Sequence, residues 1–441
     1  MVETSYQPLT RINSYIPIFS ELEIQQLVEK YGSPIYVIDE YTLRKKVATL
    51  ENAYSTFNGP VRVAYSIKAN FNPAVLKVFH SEGIIFDLTS IGELEFFLRT
   101  GGAAENVIYT SVTEERPEYE TVIKAGVKRI VVSSYNGLVN LVEAAENLGA
   151  QVNTMIRINP EVGVKAEVRA SYRHGKFGVP FNGNTVDSAT NMIRKIIATP
   201  SLKFDGFHFH LGSQIEDPTC FINALDKLEA FVIKMRKEFP DLDIKILDIG
   251  GGTPVFYGTP VPMPEEIGLL VSGKLNALSE ALSSRFTVFV ESGRYLAAEA
   301  GILISKVVNT KVYGGQKFII VDAGYHLLLD AALLHQMYPQ EVVPKSDKVE
   351  EMKLNLAGRL CDTYDIIPAS PASNLAGAEK DKLVVFRNIG AYSIVFNMPF
   401  HCQTKPPILM RRMNGEIQLV RKGETIEELF ENEGGKLLEN F

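Results

Sequence analysis

Residues 61–100 read "VRVAYSIKANFNPAVLKVFHSEGIIFDLTSIGELEFFLRT" and contain the pattern that decides the fold. Two short runs rich in β-branched and aromatic residues, 61–66 and 83–88, are each followed by a segment long enough for a helix. Strands that alternate with helices are typical of a parallel sheet with helical crossovers. The stretch therefore predicts an α/β fold.

The same alternation continues to residue 291. Eight β-rich runs occur within about 230 residues, close to the usual length of an eight-stranded α/β barrel. These runs are 61–66, 83–88, 106–110, 129–134, 153–159, 204–210, 244–250 and 286–291. We predict an eight-stranded (β/α)8 TIM-like barrel. An open doubly wound sheet would show the same alternation and is the alternative.

After about residue 300 the pattern changes, because strand-like runs such as "QKFIIVDAG" are joined by turns rather than helices. This texture predicts a mostly antiparallel β C-terminal domain at 301–441, following a barrel at 41–300. The extended stretch "SPIYVIDE" precedes the barrel, so we expect the N-terminal segment, 1–40, to join the β domain.

The composition excludes several classes of protein. A net charge of −7 and a pI near 5.7 argue against a nucleic-acid partner. No apolar run is long enough to cross a bilayer, and residues 1–19 lack the pattern of a signal peptide. Cys220, Cys361 and Cys402 are too few and too scattered for a disulfide framework or a structural zinc site. We expect a cytoplasmic protein without membrane or metal.

Unusual polar residues fall where the predicted strands end, which is the end of a (β/α)8 barrel that carries chemistry. Each has an ordinary alternative: a lone lysine is usually a surface charge, a lone histidine often belongs to the core, and a glutamate can simply pair with a nearby arginine. Six strand ends with such groups together indicate a site. The residues are Lys68, Asp87, Arg157, His210, Gly250, Gly251, Gly252 and Glu291.

A lysine, a glycine-rich turn, an imidazole and a carboxylate at one mouth are the groups that pyridoxal phosphate requires. A lysine amine can form a Schiff base with this cofactor, and a carboxylate can keep the pyridine nitrogen protonated. An imidazole can stack on the ring. Glycine amides, with Ser213 and Arg294, can hold the phosphate.

Motifs in a fixed order carry a resemblance to a known family. They are "YSIKAN", "FDLTSIGEL", "RIN", "HFHLGSQI", "LDIGGG", "ESGR", "VDAG", "LCDTYD" and "GAY". From about residue 30 to 405 the chain resembles the fold-type III, alanine-racemase-like pyridoxal-phosphate-dependent decarboxylases, which include the diaminopimelate and ornithine decarboxylases.

The resemblance implies a role for each matching residue. Lys68 would be the Schiff-base lysine, His210 would stack on the ring, and Glu291 would contact the pyridine nitrogen. Asp87 and Arg157 would lie behind these groups. The phosphate would be surrounded by Ser213, Gly250, Gly251, Gly252, Arg294 and Tyr392.

The same resemblance implies a homodimer with sites shared across the interface. Cys361 of "LCDTYD" would then reach the neighbouring subunit's site and protonate the carbanion after carbon dioxide leaves. Cys220 and Cys402 are expected to be buried structural cysteines. The residues expected to contact substrate are Asp362, Arg294, Tyr392 and Asp330.

The substrate-reading positions depart from the diaminopimelate pattern. Asp330 stands where those enzymes have an arginine for the distal carboxylate, Leu334 replaces a tyrosine, and Asp362 is the acid of ornithine-type enzymes. We therefore expect α-decarboxylation of an amino acid with a distal polar group. The candidates are meso-diaminopimelate, as in lysine biosynthesis, and ornithine, lysine or arginine. The alternatives are an amino-acid racemase, which "LCDTYD" disfavours, and a non-catalytic pyridoxal-phosphate-binding protein.

Overall fold

The computed structural model describes residues 10–16, 18–183 and 185–440, so most of the segment compared with signal peptides lies outside the described residues. The chain divides into two compact units. The first is built mainly from Arg44–Pro254 and Val261–Leu296, and the second from Ile12–Leu43, Val255–Pro260 and Ala297–Phe441.

The first unit contains a closed barrel of eight parallel strands. In chain order they are β1 (Val61–Ser66), β2 (Ile85–Leu88), β3 (Val107–Tyr109), β4 (Arg129–Val132), β5 (Val152–Arg157), β6 (Leu202–His208), β7 (Ile246–Asp248) and β8 (Thr287–Ser292). Each strand pairs with the next, and β8 pairs with β1 to close the circle. The predicted (β/α)8 barrel is confirmed, and the open sheet is wrong.

Helices follow the barrel strands. Several begin at a serine whose hydroxyl accepts a backbone N–H of the first turn, as Ser90 and Ser134 do. The helix before β1 is Glu40–Ala53. The later helices of this unit are Pro73–Ser81, Ile91–Arg99, Arg116–Lys124, Tyr135–Asn147, Ala189–Ile197, Thr219–Met235, Pro264–Leu282 and Arg294–Ala297.

An apolar layer fills the interior of the barrel and fixes which residues face inward. It consists of Ala64, Ile85, Ile108, Val131, Met155, Ile246 and Phe289, all buried. Because side chains alternate between the two faces of a strand, the residue two positions later on each strand also faces inward. The next layer toward the C-terminal ends of the strands is therefore determined by the sequence.

The second unit is a nine-stranded, mostly antiparallel sheet, as predicted. The strand Ile35–Asp39 lies between Gly301–Tyr313 and Ile408–Arg411. The remaining strands are Gln316–Val321, Gln340–Val343, Lys353–Ala357, Ile366–Ile367, Leu383–Arg387 and Ile417–Arg421, and the helices are Glu21–Tyr31, Leu329–Leu333 and Ile426–Asn432.

Four short strands lie outside these two sheets. Ala166–Arg169 and Gly212–Ile215 pair with each other, and the others are Arg11–Ile12 and Val261–Pro262. Within the part of the chain that the structure describes, no helix is both long and apolar enough to cross a membrane.

Candidate active site

A layer of buried ionisable side chains lies directly above the apolar layer of the barrel. Asp87 follows Ile85 by two residues on β2, Arg157 follows Met155 on β5, and Glu291 follows Phe289 on β8. These three side chains are buried, as are His208 and Asp248 at the ends of β6 and β7. Strand periodicity therefore brings five titratable groups to the same end of one barrel.

Lys68 follows β1 in a short 3-10 turn, Ile67–Ala69. Its Nζ lies 3.4 Å from Asp87 Oδ2, and its side chain is 46% exposed whereas that of Asp87 is 2% exposed. Burial raises the pKa of Asp87, the charge of Glu291 raises it further, and Lys68 opposes the shift. The amine is thus open to a ligand while it is anchored to a buried carboxyl group.

His210 lies just beyond β6, and a backbone amide fixes its tautomer. The Gly251 N–H donates to Nδ1 at 3.1 Å, so a neutral ring carries its proton on Nε2. Burial lowers the pKa of His210 to about 3, and the charges of Lys68 and Arg157 act in the same direction, while Glu291 opposes them. His210 is therefore a neutral imidazole at working pH, suited to stacking on a flat ring.

The three successive glycines after β7 allow backbones to approach closely. Gly250 and Gly252 have φ of 66° and 127°, in the region that favours glycine. A Cβ at Gly250 would lie 2.3 Å from the Phe209 carbonyl oxygen, and one at Gly251 would lie 2.6 Å from the Glu291 carbonyl oxygen. A side chain at either position would displace the strand ends that hold His210 and Glu291.

Ser213 and Arg294 also come together in the first unit. The Arg294 Nε donates to Ser213 Oγ at 3.2 Å. A guanidinium group beside a hydroxyl is a suitable pair of donors for a phosphate. Their predicted role as phosphate ligands stays a prediction.

Four of the predicted site residues belong to the second unit. Cys361 is an exposed free thiol whose backbone N–H donates to His401 Nδ1 at 3.3 Å, and the next residue, Asp362, is only partly buried. Tyr392 has a left-handed φ of 60°. Asp330 is buried and accepts a hydrogen bond from Tyr338 Oη at 2.6 Å, so its carboxylate takes part in a local network.

Three residues differ from what the sequence suggested. Cys220 is buried, as expected, but Cys402 is exposed, so its assignment as a buried structural cysteine is wrong. His208 and Asp248 lie in the layer of buried ionisable side chains, and neither was predicted as a site residue from the sequence. The signal was present, because Asp248 stands two positions after the inward-facing Ile246 in "ILD", and His208 stands two positions after Gly206 in "GFH".

Comparison with known families decides the identity of the chain. Residues 41–298 match the model of the pyridoxal-dependent decarboxylase family, in its pyridoxal binding domain. The chain belongs to this decarboxylase family. It is an enzyme, a carboxy-lyase, and pyridoxal phosphate is its cofactor.

Similar proteins cover nearly the whole of this decarboxylase. It is 30% identical over 415 residues to a diaminopimelate decarboxylase from Vibrio cholerae, which covers 93% of this chain and 94% of the relative. A diaminopimelate decarboxylase from Haemophilus influenzae is 27% identical over 415 residues, with 93% and 95% covered.

Two solved structures share the fold of this decarboxylase. The diaminopimelate decarboxylase of Helicobacter pylori in complex with L-lysine has a TM-score of 0.82 at 24% identity and covers 93% of this chain and 99% of that one. The lysine/ornithine decarboxylase of Vibrio vulnificus in complex with putrescine has a TM-score of 0.73 at 23% identity, with 89% and 99% covered. Both support the assignment of a barrel followed by a mostly antiparallel β domain.

The residues of the barrel end fit pyridoxal phosphate. A partly exposed amine, a neutral imidazole and a carboxylate at one end of one barrel match the aldehyde, the flat ring and the ring nitrogen of the cofactor. Among the described residues, the buried Oδ1 of Asp87 has no hydrogen-bond partner, so an acceptor beneath this end of the barrel is left open.

The decarboxylase with Glu291→Gln is expected to bind its cofactor but to turn over on the order of 100-fold more slowly. A neutral amide cannot hold a proton on the pyridine nitrogen, and this proton matters most when negative charge develops in the transition state. The loss should therefore fall on kcat rather than on KM. Steady-state kinetics would measure it, with the exposed Glu95→Gln as the matched control. An unchanged kcat would show that Glu291 has only a structural role.

Proposed function

We propose that this chain removes the α-carboxylate of an amino acid with a distal polar group. The observation that carries the proposal is the convergence of Lys68, His210 and Glu291 at the C-terminal end of one barrel. Glu291 Oε2 lies 4.0 Å from His210 Nδ1, and Glu291 shares the layer of buried ionisable side chains with Asp87, which contacts Lys68. A binding protein without turnover would not need a carboxylate aimed at the ring nitrogen.

Pyridoxal phosphate, when bound, supplies an electron sink for the electron pair that remains when carbon dioxide leaves. Lys68 Nζ would hold the cofactor at its aldehyde carbon, with loss of water, and Asp87, 3.4 Å from this amine, would orient it. His210 offers a neutral face for stacking, and Glu291 holds a proton at the ring nitrogen. The amides of the glycine turn, with Ser213 and Arg294, would bind the phosphate.

The proton that replaces the carboxylate is proposed to come from Cys361. The thiol is exposed on the second unit, and a thiol can act as a general acid. We propose that it acts on the neighbouring subunit of a homodimer, where it would also help to exclude water from the carbanion. The thiol favours decarboxylation over racemisation, since a racemase requires a base on the opposite face of the ring. We place the enzyme in the cytoplasm, where a free thiol stays reduced.

Two substrate classes fit this site, and different observations favour them. The curated relatives are named diaminopimelate decarboxylases, which makes meso-diaminopimelate the first candidate. The second class is ornithine, lysine or arginine, whose single carboxylate is the one that leaves. Asp330 favours the second class, because this buried acid stands at the position of the arginine expected to bind a distal carboxylate.

A panel of purified substrates tests the proposal. Holoenzyme is incubated with diaminopimelate, ornithine, lysine and arginine, and both carbon dioxide release and inversion of the α-carbon are measured. Release of carbon dioxide from at least one amino acid is expected. A higher kcat/KM for the amino acids with one carboxylate would follow from the missing arginine. Inversion without carbon dioxide would contradict the proposal and support a racemase.

A further inference from the structure

His208 and Asp248 belong to the layer of buried ionisable side chains but have no part in the proposed reaction. Both are almost fully buried, at 1% and 0% exposure. His208 Nε2 lies 3.1 Å from Glu291 Oε1. Single atoms of His208, Asp248 and Glu291 lie within 4.8 Å of one another. Buried polar residues gathered around one carboxylate require an explanation.

The environment of His208 selects one form of its ring. Burial lowers the pKa of His208 well below its usual value, and the positive charges of Arg157 and Lys68 act in the same direction, while Asp87 opposes them. A neutral imidazole has a single N–H. Since a carboxylate can only accept, the proton must be on Nε2 to bond Glu291. Nδ1 is then a bare acceptor, and it is buried without a hydrogen-bond partner among the described residues.

The pKa of Asp248 shifts in the direction opposite to that of His208. Its Oδ1 accepts the Gly250 N–H at 2.9 Å, whereas Oδ2 is buried without a partner among the residues that the structure describes. Burial raises the pKa of Asp248 well above its usual value, and the charge of Glu291 raises it further. Both causes favour the protonated form of Asp248.

We propose that His208 and Asp248 are positioning residues that fix the orientation and charge of Glu291 toward the cofactor ring. His208 occupies Oε1 of Glu291 and leaves Oε2, the oxygen on the side of His210, for the proton of the ring nitrogen. Asp248 takes up a proton instead of adding a second negative charge. This inference rests on the role of Glu291 given under the proposed function.

A metal ion is the competing explanation, because the three side chains are close enough to bind one. Two features oppose it. The Gly250 N–H points at Asp248 Oδ1, and the buried guanidinium of Arg157 interacts favourably with Glu291 and would repel a cation there. Metal analysis of the purified holoenzyme is expected to find no stoichiometric ion, and finding one would overturn the inference.

The decisive test compares His208→Leu, which removes the donor, with His208→Gln, which keeps an N–H near the position of Nε2. The main readout is the solid-state ¹⁵N resonance of the cofactor ring nitrogen in holoenzyme loaded with ¹⁵N-labelled pyridoxal phosphate. In His208→Leu this resonance should move toward that of unprotonated pyridine. The kcat should fall about 10- to 100-fold with little change in KM, which is the usual range for residues that position a ligand-contacting side chain. His208→Gln should restore both. His80→Leu, on the helix Pro73–Ser81, serves as the control.

The outcomes separate this inference from the proposed function. A wild-type ¹⁵N resonance in His208→Leu, together with only a lower melting temperature, would reduce His208 to a packing residue and overturn the inference. Should His208→Leu fail to fold, His208→Phe, which also removes the donor, takes its place, and a wild-type resonance in it would overturn the inference. Asp248→Asn keeps this position uncharged, so it should leave the resonance at its wild-type value, and a shift would overturn the role given to Asp248. If the wild-type enzyme releases no carbon dioxide, the proposed function fails, but the resonance still reports whether His208 controls Glu291.

Discussion

Replacement of Lys68 by alanine is expected to abolish decarboxylation, with a loss on the order of 10³-fold or more. The amine is the only nucleophile proposed at the mouth of the barrel, and its 46% exposed side chain leaves it accessible to the cofactor. The variant should retain some cofactor through the phosphate and ring contacts, but it should hold this cofactor without a covalent link.

Borohydride reduction followed by mass spectrometry measures that link. Wild type should gain the mass of the reduced cofactor on the peptide that contains Lys68, and Lys68→Ala should gain none. Lys77→Ala is the matched control, because Lys77 is an exposed lysine on the helix that follows. A trapped adduct of undiminished yield in Lys68→Ala would remove this residue from its proposed role.

The second large effect concerns subunit sharing. If Cys361 completes the site of the neighbouring subunit, chains carrying Lys68→Ala and chains carrying Cys361→Ala are each nearly inactive alone. Mixed in equal amounts and allowed to exchange, they should recover roughly a quarter of wild-type activity, because about half of the dimers are mixed and each has one intact site. Activity assays on re-equilibrated mixtures measure this recovery.

The control for this experiment is a mixture of Lys68→Ala with Cys402→Ala. Cys402 is another exposed thiol on the second unit, and a chain that lacks only this thiol is expected to be active by itself. Subunit exchange has to be demonstrated by mass spectrometry of differently tagged chains. If exchange occurs and the Lys68 and Cys361 mixture stays as inactive as its parents, Cys361 does not act across a two-fold interface.

The sequence predicted the barrel because strand and helix periodicities are local properties. The run at 61–66 became β1 and that at 286–291 became β8, and the pairing of these two strands closes the sheet. Polar residues at strand ends were also visible, and Lys68 and Asp87 lie 3.4 Å apart in the structure. Features that follow from chain order and from the alternation of side chains along a strand could be predicted from the sequence.

Other features depend on distances between distant parts of the chain. The pKa of His210 follows from its burial and from charges on several strands, which no local pattern contains. Asp330 is buried and accepts a hydrogen bond from Tyr338, eight residues later, and Cys402 is exposed in the short 3-10 turn Phe400–Cys402. His208 and Asp248 were not predicted because the runs 204–210 and 244–250 extend two residues beyond the observed ends of β6 and β7, so the ends of these strands could not be placed from the sequence.

The stacking of a charged layer on an apolar layer also bears on how the barrel reaches its correct register. On β2, Ile85 and Asp87 face inward, whereas Phe86 between them contacts Phe97 of the surrounding helices, with ring centroids 4.5 Å apart. A slip of one residue would exchange the two faces of β2. Asp87 would then lie against Phe97, and Phe86 would lie among the buried ionisable side chains of the barrel interior. Folding intermediates with a shifted register would therefore be destabilised. The acids at the cofactor site thus also favour the correct register of the strands.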